Sequence, residues 1–248
     1  MNSELDSNLE AMDNTPRYVD WIVDQFNPYL LGRIAEIGAG IGTISERIVN
    51  KVSSLDLIEP SVSFAETLRV RFKDNDKISV ISMMLENYMS DHQPDHYDTI
   101  VMVNVLEHIE NDRATLNLLN SFLRAGGHLL IYVPALPFLY SKPDELVGHY
   151  RRYLRAELTN KLKEAGFKIK YDSDIDFLGI FSWYVFNTMG GKTSLSSSAV
   201  QLYDRIGVPI TRFGERQITP PVGKNIIVVA ENRYNIFLNF TPKHCLTV

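Results

Sequence analysis

Four stretches of this sequence bring together residue types that could do chemistry. The first is Glu36-Ile37-Gly38-Ala39-Gly40-Ile41-Gly42, followed by Thr43. Glycines in such a run let the backbone turn sharply and leave room for a ligand against the main chain, whose N–H groups then face it. The second is Glu59-Pro60-Ser61, where a carboxylate can accept both hydroxyl protons of a ribose. The third is Asn104-Val105-Leu106-Glu107-His108; an imidazole with an ordinary pKa suits proton removal near neutrality. The fourth runs from Asp144 to Tyr153 and contains Gly148-His149-Tyr150-Arg151-Arg152-Tyr153. It offers His149 as a candidate base, with His108 the second choice. It also offers tyrosine hydroxyls, and cations suited to an anionic acceptor.

Regular elements must hold these stretches in place. Short apolar runs at Arg33–Ile37, Ser54–Ile58, Ile78–Met83, Tyr97–Val103, His128–Val133, Phe167–Tyr171 and Asn225–Ala230 read as strands. Between them, Thr43–Val49, Ser61–Phe72, Arg113–Leu123 and Glu157–Ala165 read as helices, with Gly126-Gly127 expected to stop the third. Strands alternating with helices predict an α/β, Rossmann-like, mostly parallel seven-stranded sheet with helices on both faces. The glycine run and the other three stretches then fall beyond the carboxyl ends of strands, where open α/β sheets bind ligands.

The chain divides accordingly. Residues 1–30 read as an acidic tail and a helix that begins at Pro16, and 31–175 as the α/β core. Residues 176–222 read as a cap insertion before the last strand, and 223–248 as that strand with a C-terminal tail. Within the cap, Phe177 to Met189 is apolar, Gly190–Ser198 is rich in Gly and Ser, and Ala199–Ile206 reads as a helix.

The glycine spacing separates two kinds of nucleotide loop. A dinucleotide fingerprint, G-x-G-x-x-G, wants a small residue at position 43, where Thr43 stands; here the third glycine falls one residue earlier. The tighter G-x-G-x-G, with Glu36 two residues before it, resembles motif I of class I S-adenosylmethionine-dependent methyltransferases. The resemblance covers roughly residues 30–170 and, more loosely, the final strand. It implies S-adenosyl-L-methionine as cofactor, bound by Glu36, Gly38, Gly40, Gly42, Glu59 and Pro60. Met84 and Leu85 would flank the adenine, with Glu86 or Asn87 supplying the polar contact that the family often takes from an acidic residue at position 84. Asn104 and Val105 would lie against the methionine moiety. In some relatives a Glu-x-x-Glu-His arrangement binds a divalent metal; here Asn104 replaces the first Glu, and no metal is expected. The "GHYRRY" run is similar to one subset of these enzymes. Tyr140, Tyr150, Arg151, Arg152 and Trp183 are the expected acceptor-binding residues.

The expected function is therefore methyl transfer to a small organic acceptor, at O, N or C. Alternatives are a lipid or prenyl acceptor at a membrane surface, a non-catalytic S-adenosylmethionine-binding partner protein, and a nicotinamide-dependent oxidoreductase. Glycine spacing and the lack of a suitably placed Tyr-x-x-x-Lys pair argue against the last. Composition narrows the partners. A formal net charge of −5 gives no general attraction to nucleic acid, and no Asn/Asp-Pro-Pro-Tyr/Phe motif follows the fourth strand. One cysteine, Cys245, excludes an intramolecular disulfide and zinc-type Cys pairs. The acidic start lacks the pattern of a secretion signal, and no apolar run reaches the roughly 18–20 residues of a membrane span. A cytoplasmic location is expected, with peripheral membrane contact through the Phe177–Phe186 stretch left open. Composition says nothing of oligomeric state.

Overall fold

A computed structural model of the chain describes residues 12–90, 96–189 and 197–233. Most of the acidic tail, most of the Gly/Ser stretch, and Cys245 lie outside the described residues. Seven strands form one sheet: β1 (Arg33–Ile37), β2 (Ser54–Ile58), β3 (Ile78–Ile81), β4 (Tyr97–Val103), β5 (Leu123–Pro134), β6 (Phe167–Ile175) and β7 (Asn225–Asn232). Their order is β3-β2-β1-β4-β5-β7-β6, and β7 alone runs antiparallel to its neighbours. This is the Rossmann-like, mostly parallel sheet that the alternation of apolar runs predicted.

Side chains alternate across the sheet with a period of two, so each central strand feeds two apolar layers. Ile34, Leu55, Leu57, Val101, Leu130, Ile227 and Val229 pack beneath α1 (Pro16–Phe26), which contributes Val19, Trp21, Ile22, Val23 and Phe26. Ala35, Ile37, Ile100, Met102, Leu129, Ile131 and Val228 face the other way, toward α5 (Asp112–Phe122) and α7 (Arg155–Glu164). Three shorter helices complete the first half: α2 (Ser45–Ile48), α3 (Val62–Arg71) and α4 (Leu85–Ser90). The Ser61 hydroxyl caps α3 by accepting from the Phe64 N–H.

Two local expectations are corrected. Gly126 and Gly127 do not stop a helix; α5 ends at Phe122 and β5 begins at Leu123, so both glycines lie inside the strand. Gly126 has φ 74°, and a Cβ at Gly127 would stand 2.9 Å from the Arg124 carbonyl oxygen. They are spacing glycines for a bend and a close backbone approach. The insertion is also more helical than expected. After α8 (Phe177–Met189) come α9 (Ser197–Leu202), a π-turn (Tyr203–Gly207) and α10 (Val208–Gln217). Pro209 sits in the first turn of α10, where the missing N–H costs nothing.

The insertion divides between two places. The Trp183 indole of α8 donates to the Leu139 carbonyl at 3.1 Å, beside the fourth motif stretch. The second part packs on α1: Asp204 accepts from the Tyr18 and Arg17 N–H groups at 2.9 and 3.4 Å, and Arg212 pairs with Asp24. Buried Asp176 ties the two parts to the sheet, accepting from the hydroxyls of Tyr18 and Tyr203 and pairing with Lys224. No described helix is long and apolar enough to cross a membrane.

Candidate active site

The loop after β1 is built from three glycines in the left-handed region, with φ 68° at Gly38, 55° at Gly40 and 91° at Gly42. A Cβ at Gly38 would stand 2.5 Å from Val105 Cγ2, so the loop and the β4 exit touch without a side chain between them. Glycine is required here by conformation and by space alike. Glu59, at the end of β2, accepts from the Gly40 N–H and the Ser61 N–H, each at 2.9 Å. Burial pushes its pKa up, and the two N–H groups oppose that. The carboxylate expected from sequence to meet a ribose thus braces the loop, and each of its oxygens keeps a second lone pair. Glu36 is buried and accepts from the Ser45 hydroxyl at 2.6 Å. Burial pushes its pKa up to about 8, with Ser45 opposing and Glu59 adding to the rise.

Pro60 and Met84 are exposed at this edge, but Leu85 is not: it packs in the apolar layer with Tyr88 and Met89. Of the two apolar residues expected beside an adenine, only Met84 faces outward. Asn104 takes φ 54°, a conformation that Asn tolerates better than most residues, and its N–H donates to the Tyr132 carbonyl at 2.8 Å. That leaves Val105 against Gly38 and turns the chain into a tight turn, Leu106–His108.

Beyond β4 the polar groups interlock. Asp144 sits in α6 (Lys142–Leu146), where its Oδ2 accepts from the Ser141 N–H as half of a capping box. Its Oδ1 receives His149 Nδ1 and Arg152 Nε, each at 2.9 Å. Burial alone would raise the Asp144 pKa, but these two partners hold it below the ordinary carboxylate range. His149 Nε2 faces Glu107 Oε1 at 3.9 Å, and the His149 ring meets that of His108 edge-on at 4.6 Å. Glu107 is fully buried, and neither carboxylate oxygen has a hydrogen-bond partner among the described residues. Burial pushes its pKa up to about 8. Burial, with His149 alongside, pushes that of His108 down to about 4. Glu107, His108 and His149 present donor atoms that all lie within 4.8 Å of one another.

Several expected acceptor contacts are corrected. Arg152 is buried, bound to Asp144 and to the Ala135 carbonyl, with its guanidinium 4.6 Å from the Trp183 ring centre. Arg151 pairs with Asp112 and donates to the Glu110 carbonyl. Both cations are thus already paired within the protein, Arg152 out of reach of solvent and Arg151 only partly so. Tyr153 is buried, its hydroxyl on Asp112. Tyr140 and Tyr150 remain exposed at the rim, and the Tyr140 hydroxyl donates to the His149 carbonyl at 2.7 Å. Sequence reasoning missed Asp144 and the bare Glu107. Nothing in the linear spacing ties Glu107 to a histidine in another loop.

Comparison with known proteins places this fold among similar chains. Residues 35–129 match a family described as a methyltransferase domain. The chain is 31% identical over 150 residues to a probable polyketide synthase 45 of Dictyostelium discoideum, covering 49% of this chain and 5% of that protein. It is 26% identical over 119 residues to a ubiquinone biosynthesis O-methyltransferase of Aeromonas salmonicida, covering 47% and 49%. This chain thus spans about half the length of the second relative and a small part of the first. Among solved structures, the [4+2]-cyclase SpnF is similar at TM-score 0.59 and 16% identity, covering 89% of this chain and 81% of that one. A phosphoethanolamine N-methyltransferase 2 of Haemonchus contortus, in complex with S-adenosyl-L-methionine, is similar at TM-score 0.57 and 15% identity, covering 87% and 52%. At these identities the structures speak for the fold.

Proposed function

We propose that this chain moves the methyl group of S-adenosylmethionine to a small organic acceptor. Residues 35–129 match a methyltransferase domain, and a similar solved structure holds S-adenosyl-L-methionine. The observation that carries the reading is the three-glycine loop braced by Glu59. In this reading Glu36 and Gly38, Gly40 and Gly42 hold the methionine and ribose portions. The free lone pairs of Glu59 take the ribose hydroxyls beside Pro60, Met84 covers the adenine, and Asn104 and Val105 line the methionine. The acceptor enters from the side of His108, His149, Tyr140, Tyr150 and Trp183.

The chemistry asks little of the protein. The acceptor's lone pair attacks the methyl carbon in line with the carbon–sulfur bond. Sulfur leaves with the bonding pair as a neutral thioether, and any acceptor proton is lost. Proximity and alignment supply most of the acceleration. The name of one similar protein, a ubiquinone biosynthesis O-methyltransferase, favours an oxygen-centred acceptor. SpnF, a cyclase on the same fold, is the reason that turnover must be measured as well as binding.

Calorimetric titration of the chain with S-adenosylmethionine, S-adenosylhomocysteine and NAD tests this. Both sulfur nucleotides are expected to bind and NAD to fail. Binding of NAD alone would overturn the reading. Binding without methyl consumption across a panel of phenols, amines and enolisable ketones would leave a non-catalytic partner protein.

A further inference from the structure

The last part of the insertion carries apolar side chains that the fold leaves in water. Leu202, Ile206, Ile210 and Phe213 follow one another at steps of four, four and three residues and are 54–70% exposed. That spacing puts them on one side of the helical run from α9 through the π-turn into α10. The opposite side holds Asp204, Val208 and Thr211, all buried. Single exposed apolar residues are ordinary, but a line of them along one helix marks a contact surface.

Charge says what that surface faces. Between Ser197 and Gln217 the carboxylates are Asp204 and Glu215, and both are turned inward. Asp204 accepts from the Tyr18 and Arg17 N–H groups, and Glu215 from those of Asp176 and Phe177. Arg212 is paired with Asp24. The exposed charges of the run are therefore Arg205 and Arg216, both cationic, in a chain whose formal net charge is −5. A second copy of the chain would set like charges against each other, whereas an anionic surface complements them. A lone helix is also a convex rod, which sinks along its length into a fluid interface; a protein partner would have to bring a matching groove.

We propose that this face of α9 and α10 docks on an anionic membrane surface. Leu202, Ile206, Ile210 and Phe213 enter the headgroup boundary, and Arg205 and Arg216 meet lipid phosphates. The helix lies on the bilayer and does not cross it. Four apolar side chains and two arginines make a reversible contact, well short of an anchor. The contact expected from sequence was the Phe177–Phe186 stretch, but Ile180 and Trp183 pack against the core and leave Phe181 and Tyr184 exposed. Instead α8 joins the docking face to the site. Its first N–H is held by Glu215 of α10, and its Trp183 reaches the Leu139 carbonyl. A chain docked in this way is placed to take an acceptor dissolved in the bilayer. Only that step rests on the function proposed above; docking itself does not.

The test is flotation of the full chain with phosphatidylcholine vesicles, plain or with about one-third phosphatidylglycerol. The chain should float with the anionic vesicles, more weakly with the neutral ones, and added salt should weaken the anionic binding. Ile210→Asp and Phe213→Asp should each weaken it at least about 10-fold. Arg205→Glu and Arg216→Glu should each weaken it about 5-fold, on anionic vesicles only. Val70→Asp, at an exposed valine of α3, is the control and should change nothing. If one variant fails to fold by circular dichroism, the remaining three decide. Absence of binding to anionic vesicles overturns the proposal, and so does binding that the folded variants leave unchanged. Self-association in sedimentation that Ile210→Asp abolishes, without vesicle binding, would overturn it in favour of a second copy on this face. S-adenosylmethionine titrated without vesicles keeps the two readings apart. Vesicle binding without the sulfonium ligand sinks methyl transfer alone, and the reverse sinks the docking face alone.

Discussion

Glu36 and Glu59 stand beside the glycine loop and Glu107 stands beyond β4, all three buried, yet the protein treats them in opposite ways. Glu36 has the Ser45 hydroxyl and Glu59 has two backbone N–H groups, each supplied from within one strand–helix unit or the next. Among the described residues Glu107 has no such donor, and the charges around it, Asp144, Arg152 and His149, come from a different part of the chain. The glycine-loop side is finished by local donors. The side beyond β4 is held together by long-range charge pairing.

The sharpest way to break that contrast is Arg152→Met. The substitution keeps the apolar stem beneath Trp183 but removes the one buried cation facing Asp144 and Glu107. Removing one partner of a buried pair leaves an uncompensated charge, so a loss of about 3–5 kcal/mol is expected in urea denaturation. A loss below about 1 kcal/mol would mean that the side beyond β4 is no more dependent on distant charge than the glycine-loop side.

The same contrast explains what the sequence could disclose. Gly38, Gly40, Gly42 and Glu59 were legible because the constraint is local: positive φ needs glycine, and the bracing carboxylate ends the very next strand. The strand count was legible for a similar reason, since a parallel strand buried on both faces is a continuous apolar run. Gly126-Gly127 misled because a helix stop and a strand bend ask for the same residue. The burial of Arg152 and the exposure of Met84 beside buried Leu85 depend on packing between elements, and no spacing within one element encodes it.

Gly38→Val probes the finished side. The new side chain meets Val105 at 2.5 Å for its first carbon alone, and the backbone is held at a φ that β-branched residues avoid. S-adenosylmethionine affinity should fall at least about 100-fold, or about 2.7 kcal/mol, when measured by calorimetry. Retention of cofactor affinity would show that the loop's close approach to Val105 is dispensable.

Ser45→Ala is the gentlest probe, because it turns Glu36 toward the condition of Glu107. The Glu36 pKa is raised on folding, to about 8, so its contribution to stability is full below the unfolded value near 4.5 and is lost as pH rises through 8. The Ser45 hydroxyl opposes that rise by favouring the ionised form. Its removal should therefore cost little at pH 6, where Glu36 in the folded chain carries its proton. At pH 9, where the carboxylate loses the only donor it has, the cost should reach about 1–2 kcal/mol. Denaturation curves at the two pH values check the difference. Equal costs at both would mean that Glu36 does not titrate through this bond, and its likeness to Glu107 would extend from burial to lack of a working partner.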